Sequence, residues 1–330
     1  MNWISVILFK HITCQILFIF FCADWSAAFT QRIEDNGDWT ALMQQLEKAI
    51  DSDGAFIQGA GDYRVYWYFD TKLEGRPLLF VHSLNAAPSA IELKPLFQHF
   101  RKSRPVFAPD LPGFGQSTRR VGRMTASDFA KNIASIIDEM APNEPPDVIA
   151  LSLGCEFVTR AVVEYGAPVR SLTFISPTGF SHRQPPAPQA QKRLKRLLDF
   201  AGFGRAAFKL LRLERSIRYF YGMNFSGFVP SELVTYALKT TRQPGAHEMP
   251  LQFLSMGLFT PNAAETLYSR LEIPVLVLFD KDPNVSFELF EQFEANPLWR
   301  FQRIAPSLGM PQWEHPQETA HAIEAFFGAL

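Results

Sequence analysis

Cysteine is scarce in this 330-residue chain: Cys14 and Cys22 lie in an amino-terminal apolar segment and Cys155 in a later apolar run, so their spacing carries no disulfide framework. No Cys/His cluster has the spacing of zinc ligands, and none points to a metal site. Charge excess is also missing. With 32 Lys or Arg against 33 Asp or Glu, the formal net charge is -1, and nucleic acid as a general partner needs a dominant positive field. There is no internal repeat. What is present is 47% hydrophobic and 20% charged sequence, enough for a full core with one inserted subdomain.

The one long apolar stretch is at the start. Lys10 is followed by an apolar run from Ile12 to Ala23 and then by the small residues Ser26, Ala27 and Ala28. That is the order of a secretory signal peptide cleaved after Ala28. The alternatives are a membrane anchor extended by Ile4 to Phe9, or an upstream extension ahead of a start at Met43. Export or membrane association follows from the first two and a cytoplasmic location from the third, so localisation stays open.

From Asp62 onward, short apolar runs alternate with helical periodicity. YRVYWYF (63–69), PLLFV (77–81) and PVFAPD (105–110) read as strands. In ASDFAKNIASIIDEM, apolar residues at 129, 133, 136, 137 and 140 form a helix face with Thr125 or Ser127 as cap. DVIALS (147–152), SLTFIS (171–176), PVLVLF (274–279) and FQRIAP (301–306) continue the strands, with GCEFVTRAVVEYG as a helix between the first two. This alternation implies an α/β fold with a mostly parallel sheet flanked by helices.

Between Pro177 and Leu271 the alternation stops. A proline-rich RQPPAPQ leads into helical sequence with 13 Lys or Arg against 5 Asp or Glu over Arg183 to Arg270, a net +8 against about -9 elsewhere. The reading is an inserted all-helical segment whose basic face is either simply solvated or suited to a membrane surface or an anionic substrate. The expected division is 1–28 as signal or anchor, 29–61 as an amino-terminal extension, 62–182 and 271–330 as the core, and 183–270 as a helical cap.

IALSLGCEF carries the strongest chemical signal. Ser152 stands between a strand and a helix opening near Gly154, with the small residues Ala150 and Gly154 two positions away on each side. Those are the requirements of a nucleophile elbow, and the helix start aims free N–H groups at charge developing beside the serine. A helix-capping serine is the plainer alternative.

With FVHSLNAAP, APDLPGFGQS, ALSLGC, IPVLVLFDKDPNVSF and APSLGMPQWEHPQET in that order, the chain from about Asp62 to its end resembles the α/β-hydrolase family. The resemblance implies an α/β-hydrolase sheet, a helical cap over the site and an oxyanion hole from the backbone N–H groups of Leu84 and Leu153. His82 matches a histidine that holds its loop, Ser83 stands where the family has glycine, and Asp110 and Gly113 read as turn architecture. Asp282 is preferred to Asp280 as the acid. In the last motif Gly309, Pro311, Glu314 and Pro316 follow the family order, but Met310 occupies the histidine slot, and methionine takes no proton. His315 is the nearest substitute, with His321, His182 and His247 more remote.

The expected function is therefore a serine hydrolase cleaving an ester or related carbonyl bond of a small hydrophobic substrate. Its catalytic residues would be Ser152, Asp282 and a displaced His315, with no metal or other cofactor. The alternative is a non-catalytic member that binds a ligand or partner under its cap. Neither includes nucleic acid as a partner, and both leave room for membrane-surface contact through the basic cap or the amino-terminal segment.

Overall fold

The central strands are mostly apolar and buried on both faces, which calls for helices on both sides. Leu78–Val81 (β3), Val106–Asp110 (β4), Asp147–Leu151 (β5) and Ser171–Ile175 (β6) are buried at every position. The computed structural model describes residues 46–119, 122–141, 144–200 and 203–330, of which Lys48–Leu330 form one compact unit. The 1–28 segment with Cys14 and Cys22, and Met43, lie outside the described residues.

Asp53–Gln58 (β1), Arg64–Asp70 (β2), Val275–Phe279 (β7) and Trp299–Arg303 (β8) complete an eight-stranded sheet of order β1-β2-β4-β3-β5-β6-β7-β8. β1 and β2 pair antiparallel, as do β2 and β4, and every other pairing is parallel. β1 lies within the stretch read as an extension. DGAFIQ is an edge strand with no fully buried residue, so it lacks the apolar run that marks the others.

Alternation along β3 sorts the two helical layers. Leu79 and Val81 share a core with the helices Ala126–Met140 and Gly154–Tyr165, whose Phe129 and Phe157 rings stack at 4.8 Å. Phe80 faces the other way, toward Phe97 and Phe100 of Lys94–Phe100. The first of these helices starts where Thr125 accepts from the Asp128 N–H while the Asp128 carboxylate accepts from the Thr125 N–H, a reciprocal cap.

Between β6 and β7 the described elements are all helical, running from Pro188–Asp199 through Ala263–Thr266. Both ends of this insertion meet at one aromatic cluster. Phe180 stacks on Tyr268 at 4.5 Å and meets Phe290, Phe293 and Trp299 edge-on, and the Tyr268 hydroxyl donates to the Thr178 carbonyl at 3.0 Å.

Candidate active site

Ser152 follows the last residue of β5 in the left-handed region, at φ 53°, where a residue with a side chain is strained. The neighbouring strand fixes it there. Its N–H donates to the Ile175 carbonyl at 2.9 Å, and its own carbonyl accepts from Cys155 N–H at 3.1 Å as the following helix begins. The bend brings Gly154 so close to the preceding loop that a Cβ there would stand 2.6 Å from the His82 carbonyl oxygen. Ala150 is fully buried. The side chain of Ser152 is partly exposed, and its hydroxyl has no hydrogen-bond partner among the described residues.

Two backbone donors adjoin this turn. Among the described residues the N–H groups of Leu84 and Leu153 make no hydrogen bond, although both residues are buried. Backbone N–H groups without a partner are uncommon in a folded chain, and free donors of this kind are what a developing oxyanion requires.

His82 is committed elsewhere. Its Nε2 accepts from Leu111 N–H at 2.9 Å, which puts the proton on Nδ1, and Nδ1 donates to the Ser83 carbonyl at 2.6 Å. Complete burial pushes the imidazole down to about 4, so it stays neutral. Asp110 likewise accepts from the Ala90 and Gln116 N–H groups and holds the turn after β4.

Both candidate acids are engaged. Asp280 accepts from Arg303 and from Ser307 N–H at 2.9 Å; burial acts to raise its carboxyl, but these donors hold it below the usual range. Asp282 accepts from Ser176 Oγ at 2.6 Å and from the N–H groups of Asn284 and Val285 at 2.7 and 3.2 Å. Burial outweighs these bonds and raises its carboxyl. Gly309 crosses directly above it at φ 110°, where a Cβ would lie 2.6 Å from Oδ2.

Met310 is buried beyond that glycine, and Gln312 Nε2 donates to its sulfur at 3.5 Å and to the Glu92 carbonyl at 3.1 Å. His315 caps the terminal helix Pro316–Gly328, and its Nε2 meets the Pro306 carbonyl at 2.8 Å. Ser226 of the helical insertion fixes the same loop, donating its N–H and hydroxyl to Glu314 at 2.6 Å each. The structure leaves the Leu84 and Leu153 N–H groups and the Ser152 hydroxyl without partners among the described residues, and it bonds His315 to Pro306, not to Ser152 or Asp282. His321 and His99 pair edge-on at 6.5 Å, His247 neighbours Phe208, and His182 donates its N–H to Glu288. Among the described residues no imidazole bonds to Ser152 or Asp282.

Two residues here escape the sequence reading. Ser176 ends β6 at φ 45° and occupies the acid, although SLTFIS shows only a serine at a strand end. Glu92 is fully buried, its carboxylate accepting from Ser83 N–H at 3.0 Å and Asn85 Nδ2 at 2.7 Å. An acid eleven residues beyond the end of β3 reads as a solvated helix start, and its partners Ser83 and Asn85 lie too far back to mark it in the local pattern.

Among the described residues no helix is long and apolar enough to cross a membrane. No curated protein matches the chain in sequence. Solved structures similar in fold include a serine hydrolase involved in carbazole degradation, at 14% identity and TM-score 0.68, covering 84% of this chain and 99% of that one. A thermophilic esterase from Thermogutta terrifontis is similar at 18% identity and TM-score 0.65, covering 84% and 99%. An esterase from Exiguobacterium antarcticum follows at 14% and 0.66, covering 83% and 99%. At such identities the likeness is one of fold. A family profile goes further, matching residues 78–322 from β3 into the last helix, and by that match the chain belongs to the Alpha/beta hydrolase family.

Proposed function

We propose that this protein is a serine hydrolase that cleaves an ester or related carbonyl bond of a small hydrophobic substrate. Ser152 Oγ attacks the carbonyl carbon, the carbonyl electron pair moves to oxygen, and the N–H groups of Leu84 and Leu153 receive that charge. Collapse breaks the ester C–O bond, the proton given up by Ser152 goes to the departing alcohol, and water then hydrolyses the acyl-serine to release the acid and restore Ser152, a sequence that needs no cofactor. The observation that carries this reading is Ser152 at φ 53° with its hydroxyl and two adjoining N–H groups all unpartnered. Strain of that kind costs about 1–3 kcal/mol and persists where surroundings enforce it, most often at functional sites.

The proton of Ser152 is the weak step. Asp282 is the acid in this reading, and His315 completes the triad only by releasing Pro306 and turning inward. Without that turn a positioned base is missing, a deficit of about 10²–10⁴ in rate. Turnover of ester substrates is thus expected to be slow. The helical insertion serves as the cap in the same reading, and the exposed Phe200 and Phe228 with its net positive charge suit contact with an anionic membrane surface.

A second reading has one observation of its own. Met310 fills the slot and Gly309 lies over Asp282, the arrangement of a scaffold that binds a ligand without turning it over. A fluorophosphonate probe separates the two. Covalent labelling of the wild type at Ser152, absent in Ser152→Ala, is the expected result, and an unlabelled wild type with intact fold favours the binder.

A further inference from the structure

We infer that Glu92 is a positioning residue for the oxyanion loop, its carboxylate holding Ser83 and Asn85 and so fixing the backbone of Leu84 between them. This rests on the hydrolase reading above.

The geometry is specific. Glu92 Oε2 accepts from the Ser83 N–H at 3.0 Å and from Ser83 Oγ at 2.8 Å, while Oε1 accepts from Ser83 Oγ at 3.0 Å and Asn85 Nδ2 at 2.7 Å. Asn85 in turn accepts from the Ala87 N–H at 2.8 Å, so one carboxylate fixes both flanks of Leu84. A glycine at 83 would bring no hydroxyl to this cluster. The Glu92 carbonyl faces the opposite loop and accepts from Gln312 Nε2 at 3.1 Å and Trp313 Nε1 at 2.8 Å. Through Gln312, which also meets Met310, the residue joins the oxyanion loop to the loop carrying the histidine slot.

The same carboxyl is poised to titrate near neutrality. Complete burial pushes it up to about 7 against the bonds from Ser83 and Asn85, and no cation is among the groups acting on it. From the insertion, the buried Tyr221 hydroxyl, itself pushed up by burial and then by Glu92, has no hydrogen-bond partner. From the end of β4, Asp110 binds Ala90 N–H on the same turn, and Lys94 on the adjoining helix pairs with Glu232. Protonation leaves Glu92 with a hydroxyl that donates and fewer acceptor sites, so the Ser83 and Asn85 donors compete for one oxygen. The loop is therefore held more tightly above this value than below it.

Linkage gives an independent sign. The folded-state value lies above the ordinary 4.5, so across the window from about 4.5 to about 7 the folded protein keeps a proton the unfolded chain has lost. This group's contribution to stability is accordingly greatest below 4.5 and falls as pH rises through the window.

The test compares wild type with Glu92→Gln, which keeps the shape and loses the titration and one acceptor oxygen. The rate of Ser152 labelling by a fluorophosphonate is expected to rise through a break near pH 7 in the wild type and to show none in the variant. With a p-nitrophenyl ester, kcat is expected about tenfold lower at pH 8 with KM within twofold. The melting-temperature difference, wild type minus variant, is expected to fall between pH 5 and 7.5, and backbone amides of 83–87 to exchange at least tenfold faster in the variant at pH 8. The same break in Glu92→Gln, or unchanged exchange over 83–87, overturns the inference. A wild type that never labels overturns the hydrolase reading instead, and amide exchange with the melting difference still decides whether Glu92 holds the loop.

Discussion

The two halves of the candidate site are finished to different degrees. On the elbow side, Ser152, Leu84 and Leu153 keep their reactive groups unpartnered inside otherwise satisfied surroundings. On the side of the acid and the late loop, the carboxylate and the imidazole are both spoken for: Asp282 by Ser176, Asn284 and Val285, and His315 by Pro306. Free donors at a strained turn are costly to maintain, whereas a self-bonded loop is cheap. If the proposed hydrolase reading holds, the contrast means that the groups receiving the carbonyl are in place while those moving the proton are engaged elsewhere.

Restoring the missing half is the largest perturbation. Met310→His together with Ser176→Ala puts an imidazole in the slot and frees Asp282 to orient it. Ester hydrolysis is expected to rise about 10- to 100-fold, within the range a positioned base supplies. Steady-state assay decides it, and no gain with intact folding would show that position 310 does not reach the elbow.

Disrupting the finished half comes next. Gly154→Ala sets a Cβ 2.6 Å from a backbone oxygen that cannot swing aside. The expected loss is about 1–3 kcal/mol, read from the urea midpoint. Full stability would mean that the elbow yields and that the contrast in rigidity is unfounded.

Asp282→Asn probes the engaged acid through pH. Because burial raises its folded-state value, the wild-type carboxyl holds its proton longer than the unfolded chain does. Stability relative to the variant is therefore expected to fall as pH rises from the ordinary carboxylate range toward that raised value. Thermal unfolding across that range checks it; a difference that rises with pH would make Asp282 a favourably ionised acid.

The smallest effect belongs to His315→Ala. With its Nε2 on the Pro306 carbonyl, its loss is expected to cost about 1 kcal/mol and to change probe labelling less than twofold. A tenfold fall in labelling would instead establish that the loop swings and delivers this histidine.

Central strands were legible because burial on both faces favours a mostly apolar run, as in LLFV of β3 and the VIAL of β5. The helix start was legible as far as Thr125 or Ser127, and the structure selects Thr125, whose partner Asp128 lies three residues on. Edges were not. β1 has no buried run, and β8 occupies Trp299–Arg303, two residues ahead of FQRIAP, because its partly exposed pattern follows pairing with β7. At the site, Ser152 was visible because its neighbours must be small, a constraint on side-chain size that sequence records. Glu92 and Ser176 were hidden because hydrogen-bond partners 9 and 106 residues apart leave no mark on local pattern.

The aromatic cluster at Phe180 has a consequence for how this chain can be rearranged. Since Phe180 and Tyr268 stack at 4.5 Å, the helical insertion departs from and returns to nearly one point. It is a cassette hung from a clasp. The entropy of closing such an excursion grows only with the logarithm of its length, about 0.6 kcal/mol per doubling, so its size is almost free to drift. Insertions of other lengths can be grafted between the same two rings with the sheet undisturbed and Ser152 left where it is.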